Sequence, residues 1–435
     1  MTHLALVGTI LTTACSRTAW SPESIPPAET PAPAASVPDR FAPTPQPDRA
    51  TQTRGSSTFA DDVAFLSEHG EVITLAAPSG GVVALSAQYQ GRVMTSAVSK
   101  DAPGLGYLNR AFIASGETGT QFDNYGGEDR FWLGPEGGQF ALYFPPGKPQ
   151  EFAHWQTPAG FQEGTWTVES RSATEVVFSR SMQVANYAGT TFDVGVERTV
   201  RLLDPSSVQQ LLGEAPLELS GLDWVAYETV NAITNRGKRA WTRETGAPSI
   251  WILAMFNPSP DTWVMVPFDA RGEGTIVNDQ YFGAVPPERL KVLDQGVILF
   301  KCDGEHRSKI GVGPARVRPF AGSYSASARL LTLVHFDRPK DATAYANGMW
   351  DPKAAPFAGD VVNSYNDGPV EPGKPALGGF YELETSSPAA FLTPGATITH
   401  THRTLHFVGN LEKLDPLARR ALGVDLETAM TSVGE

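Results

Sequence analysis

From residue 58 to residue 410 the chain is written in short β-branched or alternating runs, each closed by Gly, Pro, Asn or Asp. EVITLAA, GGVVALSAQ, TEVVFSRSMQVA, FDVGVERTVRLL, LDWVAYETVNAITN, SIWILAMF, ARLLTLVHF and FYELET follow this pattern. Apolar residues alternating with a period of two between turn formers predict strands. The 42 glycines and 35 prolines suit many turns better than long surface helices. Helical stretches are few: a short one near Asp341–Trp350, and a C-terminal one from Leu411 to about Ser432. No βαβ rhythm is present, which argues against a doubly wound parallel sheet. The expected class is all-β, a large antiparallel β supersandwich of two extended sheets with few short helices. No glycine-rich phosphate loop, HExxH or GxSxG occurs.

The N-terminal segment reads differently. Leu4–Thr13 is an apolar run of signal-peptide length, too short to span a bilayer as a helix, and it ends at Ala14-Cys15-Ser16. That ending resembles the lipobox of bacterial lipoproteins, which makes Cys15 the expected lipidation site. From Trp20 to Ser57 the chain is rich in Pro, Ala, Ser and Thr, the composition of an extended tether. The expected organisation is a signal peptide with lipobox over 1–15, a disordered Pro-rich tether over 16–57, the sandwich over 58–410 and a helical tail over 411–435. The protein would be exported across the inner membrane to the periplasm or the outer membrane, touching lipid only through its N-terminal anchor. The 47 acidic residues outnumber the 34 basic ones, for a net charge of −13, and this argues against a nucleic-acid partner. Two cysteines exclude a disulfide framework and multi-Cys metal sites, and Cys302 reads as a buried small hydrophobe.

Three segments could carry chemistry. In Asn124–Gly147, paired glycines crowd Glu128, Asp129, Arg130, Trp132 and Glu136 together. These are the groups of a sugar platform, with aromatic faces for a pyranose and charged groups for its hydroxyls; a tight hairpin with Trp132 in the core is the alternative. In GDVVNSYNDGP, Asn363, Tyr365, Asn366 and Asp367 read as a loop before Gly368-Pro369. It could bind hydroxyls or Ca²⁺, or hold its own backbone through Asx turns, and no cofactor is expected. In FYELETSSP, Glu382 and Glu384 project from one face of a predicted strand, opposite Tyr381 and Leu383. His400, His402 and His406 share a face of the next strand, where imidazoles beside carboxylates could divide acid and base work. His400 and His402 could both reach a zinc ion, with no third ligand in view.

This last stretch is similar to the C-terminal signature of the galactose mutarotase-like superfamily. LETSSP precedes a Pro-Gly turn and a final strand ending in Phe, with Leu392, Pro394, Gly395 and Phe407 at the matching places. In aldose 1-epimerases of that superfamily the glutamate of this step is the general base, a role that falls on Glu384. The GGEDRFWLGPEGGQ, GDVVNSYNDGP and FYELETSSP blocks also resemble an uncharacterised family of secreted bacterial proteins over residues 58–410. The epimerases' mid-chain His-Pro-Tyr step and their Arg-Asn-Arg motif are missing, which leaves His154, His335 and His402 as candidate acid partners. The resemblance implies a carbohydrate-active protein with Glu384 and Glu382 in its cleft and a sugar or glycan as substrate. Epimerase-, lyase- and hydrolase-type chemistry stay open, as does a non-catalytic glycan-binding lipoprotein of a polysaccharide-utilisation system.

Overall fold

The computed structural model describes residues 57–434 apart from 120, 214–217 and 371–372. The leader, Cys15 and the 16–57 tether, its last residue aside, lie outside the described residues. Helix α1 (Phe59–His69) comes first. A capping box starts it: the Asp61 amide donates to the Thr58 hydroxyl, and the Thr58 amide donates to the Asp61 carboxylate. The run of strands expected after Ser57 therefore begins only at β1 (Ile73–Ala76), which pairs with β2 (Val82–Ser86) and through it with β3 (Arg92–Ala97).

After α2 (Arg110–Ser115) and β4 (Arg130–Gly134) come β5 (Thr167–Arg171), β6 (Glu175–Ala185) and β7 (Thr191–Leu202). Helix α3 (Pro205–Leu212) leads into β8 (Asp223–Asn235), β9 (Ser249–Phe256) and β10 (Thr262–Pro267). Next are β11 (Leu290–Leu293), β12 (Val297–Lys301), β13 (Ser308–Val312), β14 (Phe320–Ser325) and β15 (Leu330–Phe336). The series closes with β16 (Val362–Asn366), β17 (Tyr381–Ser386), β18 (Thr397–Val408), α4 (Leu411–Leu422) and α5 (Leu426–Val433).

Ten of the strands make one sheet in the order β11-β12-β10-β14-β15-β18-β8-β7-β6-β5, and five make another in the order β13-β16-β17-β9-β4. Every pairing in both is antiparallel, so the class is the all-β sandwich that the alternation predicts. Parity decides what enters the space between them. Tyr381, Leu383, Ala254 and Ile310 of the five-stranded sheet pack with Val264, Phe300, Ala321 and Val334 of the ten-stranded one. Their strand neighbours Glu382 and Glu384 must then emerge on the far face. On the outer face of the large sheet, Trp263, Met265, Leu405 and Phe407 form a second core with Leu414, Leu417, Leu422 and Leu426 of α4 and α5. The stretch read as a C-terminal tail is thus packed helix. Each of its buried leucines contributes about 2–5 kcal/mol against truncation to Ala.

Two local expectations need correction. No helix forms at 341–350. The Tyr345 amide donates to Phe357 O and the Gly359 amide to Tyr345 O, while the Tyr345 ring is fully buried, so this backbone is committed to a neighbouring segment. The segment 362–366 is strand β16, not loop. Its polar side chains are bonded inside the sheet: Ser364 Oγ donates to Glu382 O, and Asn363 Nδ2 donates to Ile310 O. Among the described residues no helix is long and apolar enough to cross a membrane.

Candidate functional site

The outer face of the five-stranded sheet carries an unusual row of charges. Across it Asn363, Glu384, Leu253 and Arg130 stand in register, and one row along stand Lys309, Tyr365, Glu382 and Met255. Each side chain is here because β13, β16, β17, β9 and β4 present alternate residues to this face. Glu384 and Glu382 are buried, at 1% and 5% exposure, so each needs a partner. Lys309 Nζ lies 2.8 Å from Glu384 Oε2, and the Trp251 indole N–H donates to the same oxygen at 2.9 Å. Glu382 is ion-paired with Arg130. The Arg130 guanidinium sits 4.6 Å from the centre of the Trp132 ring, which packs edge-on against Trp251.

The bonding of these groups is lopsided. Glu384 Oε2 takes two donors, while Glu384 Oε1 is buried without a hydrogen-bond partner. Arg130 spends Nη2 on Glu382 and leaves Nε and Nη1 without partners. Burial, opposed by Arg130 and reinforced by Glu384, pushes the Glu382 carboxyl up to about 7. Burial also pulls the Lys309 ammonium down, but Glu384, Glu136 and Glu382 outweigh it and hold its pKa above the usual value.

Loops cover this face. Glu136, just beyond β4, keeps some exposure but lies deep enough for burial to raise its carboxyl pKa, with Lys309 pulling down and Glu384 adding to the rise. It accepts from the Trp155 indole N–H at 3.0 Å. The Tyr281 hydroxyl donates to Asp360 Oδ2 at 2.7 Å and accepts from Asn363 Nδ2 at 3.0 Å. Burial raises the Asp360 carboxyl as well. Glu136, Trp251, Tyr281, Lys309, Asp360 and Asn363 wall a cavity of about 30 Å³. That is roughly the volume of one water molecule, so a pyranose enters only if the covering loops move outward.

Of the residues singled out in the sequence, Arg130, Trp132, Glu136, Asn363, Tyr365, Glu382 and Glu384 meet on or over this face. Asp129 does not: it is fully buried between the sheets, ion-paired with Arg198 at 2.7 Å and accepting from Thr229. Asn366 also faces inward, its Oδ1 accepting from the Gly304 amide and its Nδ2 donating to His306 O. Asp367 organises a turn, accepting from the Gly378 and Gly379 amides and the Tyr365 hydroxyl, so its carboxylate is already occupied.

Of the three histidines expected as the acid, His402 and His335 are not on this face. His402 and His400 are buried on the inner face, where their ring nitrogens lie 2.9 and 2.8 Å from the Thr385 hydroxyl. Burial lowers their pKa values to about 4 and about 3. His406 meets Glu128 at 2.9 Å between the sheets. His335 faces outward from the large sheet against Arg403 and Phe320, and burial lowers it to about 4. His154 ends a 3₁₀ turn in the covering loop, half-exposed. Among the described residues no group of three or more His, Cys, Asp or Glu is arranged to hold a metal ion. Cys302 is buried beside Ser364, and burial pushes its thiol up. Lys309, Trp251 and Tyr281 carry no sequence motif, and Asp360 lies inside the GDVVNSYNDGP block but outside the residues singled out there; the one further signal was a lone lysine inside the strand SKIGV.

Two antiparallel sheets, few short helices and a carboxylate-rich outer face define a large β-sandwich protein of the supersandwich class. The chain belongs to the family of unknown function DUF6786, which it matches over residues 57–433. No curated protein matches its sequence. Similar solved structures include a candidate aldose 1-epimerase from Escherichia coli K12, at TM-score 0.47 and 13% identity, covering 77% of this chain and 98% of that one. The Slr1438 protein of Synechocystis sp. PCC 6803 gives TM-score 0.46 and 12% identity over 78% and 96% of the two chains. A galactose mutarotase-like protein from Lactobacillus casei ATCC 334 gives 0.41 and 11% over 77% and 100%.

Proposed function

We propose that the protein performs proton-transfer chemistry on one sugar ring at the outer face of the five-stranded sheet. Glu384 is the base and Glu136 the acid. The observation that carries this reading is the asymmetry of Glu384: Lys309 and Trp251 hold one oxygen, and the other is buried without a partner. A carboxylate fixed in this way has one lone-pair edge committed to orientation and one left for a substrate proton. Glu136 supports the division of labour, because a carboxyl with a raised pKa keeps its proton closer to neutrality and can donate it. Lys309 holds Glu384 in place through their ion pair at 2.8 Å and also draws the Glu136 carboxyl down against the rise from burial. Two carboxyl groups thus replace the glutamate–histidine pair that the mutarotase resemblance led us to expect. The covering loops would open to admit the sugar and close to exclude water.

The test is a panel of mono- and oligosaccharides given to the full chain, read for binding and for product together. Glu384→Gln should keep the fold and reduce turnover by roughly 10²–10⁴-fold, and Glu136→Gln should remove the alkaline limb of the rate profile. Unchanged turnover in both variants would overturn the assignment. A shift in affinity alone, with no product from either protein, would make this a glycan-binding protein. In the same reading the chain is exported and held at a membrane through Cys15. Cys15→Ser should then move it out of the membrane fraction of its host, and retention at the wild-type level would refute anchoring.

A further inference from the structure

We infer that the sugar this site receives carries a carboxylate, as a uronic acid does, and that Arg307 is the residue that recognises it. The inference rests on the sugar-site reading above and deepens it. Arg307 stands two residues before Lys309, at the entry to β13, so it shares the outer face with Lys309 one strand step away. Its charge acts on both Glu136 and the Tyr365 phenol, drawing each down against the rise that burial imposes, which sets it beside the acid of the site.

Arg307 donates a hydrogen bond to the Tyr365 phenol and is otherwise held by aromatic rings, which leaves part of its donor edge for a ligand. Its guanidinium carbon lies 3.9 Å from the centre of the Phe282 ring and 5.8 Å from that of Phe152. Phe282 in turn packs edge-on against Trp350 and Tyr365. Stacking engages the flat face of a guanidinium, whereas its N–H donors radiate in the plane. Among the described residues Arg307 forms no ion pair, and its buried Nε has no hydrogen-bond partner. The neighbouring cations differ: Lys309 is held by Glu384 and Arg130 by Glu382. A half-exposed arginine held over the Phe282 ring, with one hydrogen bond to the Tyr365 phenol and no carboxylate partner, keeps N–H donors for a planar carboxylate, which takes two parallel N–H bonds. The same aromatic rings offer an apolar surface to the sugar ring that carries the carboxylate. A single guanidinium on a chain of net charge −13 suits one isolated carboxylate rather than a dense polyanion.

The experiment titrates the full chain with D-galacturonate and D-glucuronate, with galactose and glucose as their neutral counterparts, and with the 6-sulfate and 6-phosphate esters, by calorimetry. The uronates should bind at least about tenfold more tightly than their neutral counterparts. Arg307→Gln should abolish that preference, weakening the uronates far more than the neutral sugars, and Arg307→Lys should keep part of it. Added salt should weaken the uronates alone. Equal binding of acidic and neutral sugars would overturn the inference and leave the sugar-site reading standing. Tighter binding of the sulfate or phosphate esters would overturn the choice of carboxylate. No binding of any sugar would overturn both. The comparison within the wild-type chain decides the matter even if the Arg307 variants fold poorly.

Discussion

The five-stranded sheet buries charge on both of its faces, and the two faces treat it differently. On the inner side every group of the Arg198–Asp129 pair is used: Nε donates to Gly91 O, Nη1 to Asn231 and Nη2 to Asp129, whose second oxygen accepts from Thr229. Glu128 is equally saturated, by the Ser96 amide and hydroxyl and by His406. On the outer side Glu384 and Arg130 are each bonded on one edge only. Burial is similar, so burial alone does not separate a structural ion pair from a working one. What separates them is whether the bonding capacity is exhausted. A saturated buried pair fixes the fold, while a half-satisfied one keeps directional capacity for something that arrives later.

The strongest way to break this contrast is to remove the cation on each side. Arg198→Met strands Asp129 between the sheets and should cost about 3–5 kcal/mol in urea denaturation. Arg130→Met should cost no more than about half of that near neutral pH, because Glu382, already at about 7, can take up a proton. Equal losses would erase the distinction. A smaller effect tests the inner face by pH. His402 is held neutral, with a folded value of about 4 below the ordinary 6.5, so its contribution to stability is complete above pH 6.5 and is lost as pH falls toward 4. Glu382 runs the other way: its contribution is complete below its ordinary 4.5 and is lost as pH rises to about 7. Replacing His402 with Asn should therefore flatten the decline of stability between pH 6.5 and 5 by about 1.4 kcal/mol per pH unit. A profile parallel to the wild type would show that His402 does not carry it. The smallest effect sharpens the outer side. Trp251→Phe removes one of the two donors to Glu384 and should cost about 1.5 kcal/mol by thermal or urea unfolding. A cost near zero would mean that Lys309 alone orients the carboxylate.

Parity was legible before any coordinates. The alternation in YELETS puts both glutamates opposite Tyr381 and Leu383, and the register of β17 agrees. Their partners were not legible, because Lys309 lies 75 residues from Glu384 in the chain and Trp251 lies 133 residues away. Only strand order brings them together. The histidines show the limit of the same rule. Period two groups His400, His402 and His406, but a row of polar side chains carries no sign of which sheet face it takes. Thr385, Thr332 and Glu128 make the inner face hospitable to imidazole, and each of these partners comes from another strand or loop. The polar strand β16 was read as a loop for a related reason. Asn and Asp signal turns when water is the alternative partner, and here Ile310 O and His306 O replaced the water. In contrast, α1 carried a readable signal, the Thr58–Asp61 capping box, which the density of strand patterns around it obscured.

Strand β18 has a consequence for biosynthesis. It lies between β15 and β8 in the ten-stranded sheet, and the other nine strands of that sheet precede it in the chain. Until residues 397–408 leave the ribosome, β11, β12, β10, β14 and β15 cannot join β8, β7, β6 and β5, and two sheet fragments expose the edges that β18 will occupy. The apolar face later covered by α4 and α5 is bare over the same interval. Folding of this chain is therefore committed late, by a single central strand. A nascent chain stalled before residue 397 would be the species most prone to pair with another copy of itself and most in need of a chaperone.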